Sequence, residues 1–133
     1  MTTTRMPVHT TAIPIRWGDM DAQGHVNNTV YFRYMEQARI EWLDRVSERV
    51  GRGDGLGCVI VNASCTFIEP IEHPGTVEVR MFIGAPGRSS FDTQYELWMG
   101  ARKCAEGAAK IVWIDRATQR STPLPDVVRA LLG

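Results

Sequence analysis

The stretch from about Thr29 to Val50 constrains this chain more than any other. Its apolar residues Tyr31, Met35, Ala38, Trp42 and Val46 recur at helical spacing, with Arg33, Glu36, Glu41, Asp44 and Glu48 mostly elsewhere. That is a long amphipathic helix with one face to bury. Asn27 or Asn28 supplies an N-cap and Gly51 a stop. Everything around it has period two or is a turn, so the remainder must form a sheet that covers the helix. The entry to the helix, RWGDMDAQGHVNNTVYFRYME at 16–36, is polar and contains a glycine. Asp19, Asp21, His25 and Asn28 crowd into ten positions there. A helix start carries unpaired N–H groups and the positive end of the helix dipole, so it can polarise an oxygen. A carboxylate held just upstream is a base or nucleophile aimed at the same spot.

His9–Trp17 reads as a first strand, and Pro14 within it predicts an edge position or a bulge. Residues 1–8 read as a frayed tail, and Gly51–Gly57 as a loop. In the second half, Val59, Val61, Ala63, Cys65 and Phe67 alternate with polar or small residues. Val77, Val79, Met81 and Ile83 do the same, then Phe91, Thr93, Tyr95, Leu97 and Met99. Residues 104–116 make a last long strand, and PLPDVVRALL a closing short helix. The expected order is strand, long helix, then a four-stranded meander joined by tight turns. It defines an α+β fold in which an antiparallel sheet of about five strands wraps one helix. At 133 residues this is a single domain. Cys58, Ile60, Ala108, Val112 and Ile114 occupy the opposite strand faces. They predict further burial against a second copy, hence a homodimer, or a tetramer of two dimers.

Other classes fall away. Net charge is zero with the signs interspersed, which argues against nucleic acid or an anionic membrane surface. No apolar run approaches the ~18 residues of a membrane span. The opening MTTTRMPVHTT lacks a signal peptide's apolar core. Cys58, Cys65 and Cys104 form no paired framework, so a cytoplasmic protein with reduced thiols is expected. Asp19-x-Asp21-x-Gln23-Gly24 imitates the start of a calcium loop, but Val30 stands where the bidentate Glu is needed. His9, His25 and His73 are scattered, so no metal is expected, and with no P-loop or dinucleotide fingerprint no cofactor is expected either.

The pattern R-W-x-D-x-D-x-x-G-H-V-N-N-x-x-Y-x-x-Y-x-E at 16–36, with GRSSF at 87–91, resembles the hotdog-fold acyl-CoA thioesterases of the 4-hydroxybenzoyl-CoA thioesterase type. The resemblance runs from about His9 to Asp115 and implies a hotdog fold. It also implies hydrolysis of an acyl thioester of coenzyme A or an acyl carrier protein. It places the catalytic carboxylate at Asp21 and the carbonyl-polarising N–H near Asn28. Plant-type acyl-carrier-protein thioesterases are similar across DAQGHVNN; their Asp, Asn and His fall on Asp21, Gln23 and His25, the Asn being Gln in this chain. The chemistry suits these groups, since N–H donors receive the developing oxyanion while Asp21 attacks the carbonyl or activates water. His25, Asn27 and Gln23 are then orienting groups, Gly24 and Tyr31 line the substrate, and Arg88 with Ser89 is the first candidate for the coenzyme A phosphates. Arg102 and Lys103, in another turn, are the second candidates. Asp19 reads as structural, paired with Arg16 or capping a turn. A hotdog dimer that binds acyl thioesters without turnover is the alternative.

Overall fold

The computed structural model describes residues 5–50 and 55–132, with side chains described outside 47–50. The helix α1 (Asn28–Val50) buries the face its periodicity predicts: Tyr31, Met35, Ala38, Trp42 and Val46 are all in the core. Tyr34 and Arg39 are buried beside them. The strands are β1 (His9–Pro14), β2 (Leu56–Phe67), β3 (Thr76–Pro86), β4 (Ser90–Met99) and β5 (Arg102–Asp115). A two-residue β6 (Arg120–Ser121) and a short α2 (Asp126–Leu131) close the chain. The sheet is antiparallel with order β1-β3-β4-β5-β2, and β6 pairs with β5. Among the described residues no helix is long and apolar enough to cross a membrane.

Period two reads β3 and β4 correctly. Val77, Val79 and Met81 are fully buried; Val79 and Met81 pair across the sheet with Leu97 and Tyr95, while Phe91 and Thr93 continue the same face. Pro14 lies at the last position of the edge strand β1, where its missing N–H interrupts no ladder.

Four expectations are corrected. The strands are not one simple meander, because β1 occupies the outer edge of β3, and β2 therefore lies across the sheet beside β5. The connection 68–75 carries the chain from the β2 edge across to β3, beside the opposite edge strand β1. The alternation in β2 changes parity, because a bulge leaves Val61 between Ile60, opposite Ile111, and Asn62, opposite Lys110. Cys58 and Ile60 consequently share the helix-facing side with Ala63, Cys65 and Phe67, rather than facing away. Ala108, Val112 and Ile114 do alternate with the core-facing Ala109, Ile111 and Trp113 and lie on the outer face, which elsewhere carries charge: Arg80 meets Glu78 at 2.6 Å, Lys110 meets Asp92 at 4.0 Å, and Lys103 bridges Glu96 and Glu106. Finally, the part of the tail that is described does not fray: Val8 N–H donates to Met81 O at 2.8 Å, and the Arg5 guanidinium stacks on Phe82. The loop ahead of β2 ends at Gly55, Leu56 and Gly57 being strand residues; the Gly51 helix stop lies outside the described residues.

One glycine is required by packing. Gly107, opposite Cys65 in the sheet, lies against α1, where a Cβ would overlap the Met35 sulfur and approach Ser64 O at 3.2 Å. The Met35 side chain is 2% exposed and cannot simply swing into water. Gly107→Val is expected to destabilise the fold by about 1–3 kcal/mol through overpacking. A lowered urea midpoint with an unchanged slope checks this.

Candidate active site

The entry to α1 is built by an accounting of backbone hydrogen bonds. Trp17–Asp19 forms a single 3₁₀ turn after β1. Asp19 closes it from a buried position: its Oδ2 accepts from Arg16 N–H at 3.0 Å and from the Tyr34 hydroxyl at 2.9 Å. The Arg16 guanidinium lies 3.4 Å from Oδ1. Burial pushes the Asp19 carboxyl up, but these donors and the Arg16 charge outweigh it and hold the group below its ordinary 3.8. The structural reading of Asp19 thus stands. Burial, together with the same partnership, pushes the Tyr34 phenol well above its usual range.

The next turn holds Asp21. Its N–H donates to His25 O at 2.8 Å, its own C=O accepts from Gly24 N–H at 3.1 Å, and Oδ1 accepts from Gln23 N–H at 2.9 Å. Gly24 adopts φ +81°, a left-handed conformation that favours glycine. Its role is therefore to turn the chain. This arrangement leaves Asp21 Oδ2 without a protein partner among the described residues. Asn27 is the N-cap: its Oδ1 accepts from Thr29 N–H at 2.9 Å and from the Thr29 hydroxyl at 2.7 Å.

Around the helix start, nearly every amide is committed. Val26 N–H donates to Ile71 O at 2.7 Å, Asn27 N–H to Asp19 O at 2.9 Å, and Val30 N–H to Asn27 O at 2.9 Å. With Thr29 N–H on the Asn27 side chain, the Asn28 N–H alone in this run lacks a partner among the described residues. It stands at the positive end of a long helix and borders the cleft that Asp21 also lines.

That cleft measures about 420 Å³. Asp21, Gln23, His25, Asn28 and Tyr31 line one side, so the structure brings five of the sequence-predicted residues together. The facing wall is Phe67, Ile68, Glu69 and Pro70, the exit from β2. Phe67 and Ile68 are about half exposed, at 46% and 49%. Nothing in the local sequence marks this wall except an apolar strand end before a proline. Tyr31 is buried, its hydroxyl accepts from Ile71 N–H at 3.2 Å, and its ring meets Phe67 edge-on at 4.9 Å. It is a floor with its polar end already used. The His25 ring lies 3.5 Å from the Glu72 carboxylate and holds Asp21 only through its backbone carbonyl.

Arg88 and Ser89 are not in the cleft of their own chain. Their carbonyls bind the Leu124 and Trp113 amides at 3.0 and 2.8 Å, and Arg129 ties the turn from α2. Trp113 is at one end of β5, whereas the cleft adjoins Ala105 at the other, roughly 26 Å along the strand. The cysteines are no rival nucleophiles: burial pushes all three thiols up, Cys65 to about 11.

Comparison with known proteins fits this geometry. The profile of the Thioesterase-like superfamily matches residues 15–132, and the chain belongs to that family. A Pseudomonas aeruginosa protein (PA2801), named a "putative Thioesterase", is 40% identical with a TM-score of 0.87, over 96% of this chain and 100% of that one. A thioesterase from Thermus thermophilus, solved in complex with coenzyme A and zinc, is 27% identical with a TM-score of 0.83, over 97% and 94%. A "Putative esterase" of Aquifex aeolicus (strain VF5) is 32% identical over 61% of this chain, and the match spans 65% of that relative's length. The fold is thus the hotdog fold of these thioesterases, and thioester hydrolysis is the activity the family supports.

Proposed function

We propose that this chain hydrolyses acyl thioesters of coenzyme A, or of the phosphopantetheine arm of a carrier protein, at the start of α1. The observation that carries the reading is the uncommitted Asn28 N–H beside the uncommitted Asp21 Oδ2, both bordering one cleft. The carbonyl oxygen rests on the Asn28 amide, which is preorganised for the oxyanion. Asp21 then attacks the carbonyl carbon, or removes a proton from the water that does. A thiolate leaves readily, so the chemistry draws on no cofactor. Gln23 and His25 orient the substrate or water at the rim, and Phe67 with Tyr31 forms an apolar wall. The complex of the Thermus relative with coenzyme A supports that carrier. The three unpaired thiols are in keeping with a reducing, cytoplasmic compartment. The test is release of free thiol from a panel of short, long and aromatic acyl-CoA esters, where turnover of one class is expected; none across that panel leaves the carrier-protein thioesters, and inactivity on those as well would sink the reading.

The working unit in this reading is a homodimer paired along β2. That strand is an open edge, and Val59, Ile60 and Val61 are 39%, 39% and 54% exposed along it. Antiparallel pairing about a two-fold axis near the middle of β2 sets the partner's Leu56 end beside this chain's Phe67 end. The Arg88–Ser89 turn travels with that end, through β4 and β5. It would therefore approach the cleft of the other copy and not its own. Val61→Asp is expected to shift the dimer to monomer in light scattering after gel filtration, with thiol release falling in parallel. A fully dimeric variant would contradict β2 pairing.

A further inference from the structure

A thioester carrier bears phosphate, so its cleft should end at a cation. None of the residues lining this cleft is Lys or Arg, and two of them, Asp21 and Glu69, are acidic. The nearest guanidinium tied to its wall is that of Arg102, whose Nε lies 3.3 Å from Glu69 Oε2. Arg102 opens β5, where the Cys104 carbonyl also accepts the Ile68 and Glu69 amides at 2.8 and 3.0 Å. The wall and the arginine are thus one backbone-linked unit.

The way Arg102 is held matters. Only its Nε edge faces Glu69; the Nη1/Nη2 edge has no protein partner among the described residues, and the side chain is 49% exposed. The free edge is the one that grips a phosphate with two parallel N–H bonds. Glu69 Oε2 is shut off from water and makes no hydrogen bond, so Arg102 is what compensates it. The ion pair keeps the guanidinium beside the wall of the cleft. What sets Arg102 apart is that its carboxylate partner lines the cleft, whereas the neighbouring cations pair with carboxylates that do not. Arg16 pairs with Asp19 at 3.4 Å, Arg33 with Glu36 at 3.5 Å, and Lys103 with Glu96 and Glu106 on the outer sheet face.

We infer that Arg102, steered by Glu69, is a phosphate-recognising residue of the cleft, contributed by the same chain as Asp21, and makes the chain select thioesters whose carrier is phosphorylated. The inference rests on the thioesterase reading above. It gives Arg102 a part in specificity, with no part in the bond-breaking step.

The test compares three thioesters of one acyl group, carried on coenzyme A, on 4′-phosphopantetheine and on pantetheine without phosphate. Arg102→Gln is expected to raise KM about tenfold for a phosphorylated carrier, the worth of one charge-assisted contact. kcat should hold, and the pantetheine ester should be unaffected. Arg102→Lys should recover part of the loss, because it keeps the charge without the fork. Loss on both phosphorylated esters assigns Arg102 to the pantetheine phosphate; loss on the coenzyme A ester alone assigns it to the nucleotide phosphates. Equal effects on all three esters, or none, would overturn the inference. If the wild type cleaves none of the three, the thioesterase reading fails for these carriers. Free coenzyme A binding by calorimetry then decides about Arg102, a tenfold weakening in Arg102→Gln supporting it and equal binding overturning it.

Discussion

Asp21→Asn is expected to lower kcat for thiol release by about 10²–10⁴-fold, the range for loss of a positioned base, while leaving the fold unchanged. The substitution is nearly isosteric, and an asparagine Oδ1 can still accept the Gln23 N–H bond that fixes the turn at 2.9 Å. What it removes is the charge on the oxygen that faces the cleft. Unfolding midpoints of mutant and wild type should therefore coincide while their rates part. Single turnover in 18O-water tests the nucleophilic role: 18O recovered in the Asp21 carboxylate marks a mixed anhydride cleaved at that carboxyl, which a base acting on water would not label. Wild-type and mutant chains that are equally inactive, yet bind coenzyme A, would make this hotdog domain a binding module.

Asp19→Ala should have the opposite profile, with a large stability loss of about 3 kcal/mol and an activity loss that follows from it. Removing this carboxylate strands the Tyr34 hydroxyl in the core and frees the Arg16 amide, and a buried donor left unsatisfied costs about 1–3 kcal/mol. The 3₁₀ turn it closes also supplies the carbonyl that accepts the Asn27 N–H, so the helix start loosens with it. Because the folded carboxyl is held below its ordinary 3.8, its contribution is complete above that value. The contribution drains away as pH falls through the lower, folded value. Urea titrations between neutral pH and about pH 3 should show wild type losing stability on the acid side more steeply than Asp19→Ala. Asp19→Asn, which keeps an acceptor for Tyr34, should fall between them at neutral pH. Parallel acid limbs for wild type and Asp19→Ala would refute the account.

The contrast between Asp19 and Asp21 shows how far the sequence carries. Both lie in one polar turn, two residues apart, and turn chemistry alone favours a structural role for each. Resemblance to the thioesterase pattern singled out Asp21. The structure adds the physical distinction: Tyr34, fifteen residues on, consumes an Asp19 oxygen, whereas one Asp21 oxygen is left over.

Local periodicity settled what is local. The buried face of α1, the alternation in β3 and β4, a cap at Asn27 or Asn28 and an edge position or bulge at Pro14 follow from residues within a turn or two of each other. Their neighbours in space are also their neighbours in sequence. Whatever depends on distant partners was settled by the fold. A bulge at Val61 reversed the facing of Cys58 and Ile60, because strand parity is set by the pairing with β5 and not by β2 itself. Arg88 lies toward the far end of the sheet from the cleft, its carbonyl bonded to Leu124, while Arg102 pairs with Glu69 of the cleft wall. The resemblance pointed to an N–H near Asn28, and the fold supplies the physical reason that this amide is free: Ile71 and Asp19 take the two amides before it. That a carboxylate would stand at a helix start was written into residues 16–36; which N–H is left without a partner beside it was decided by hydrogen bonds closed across the fold.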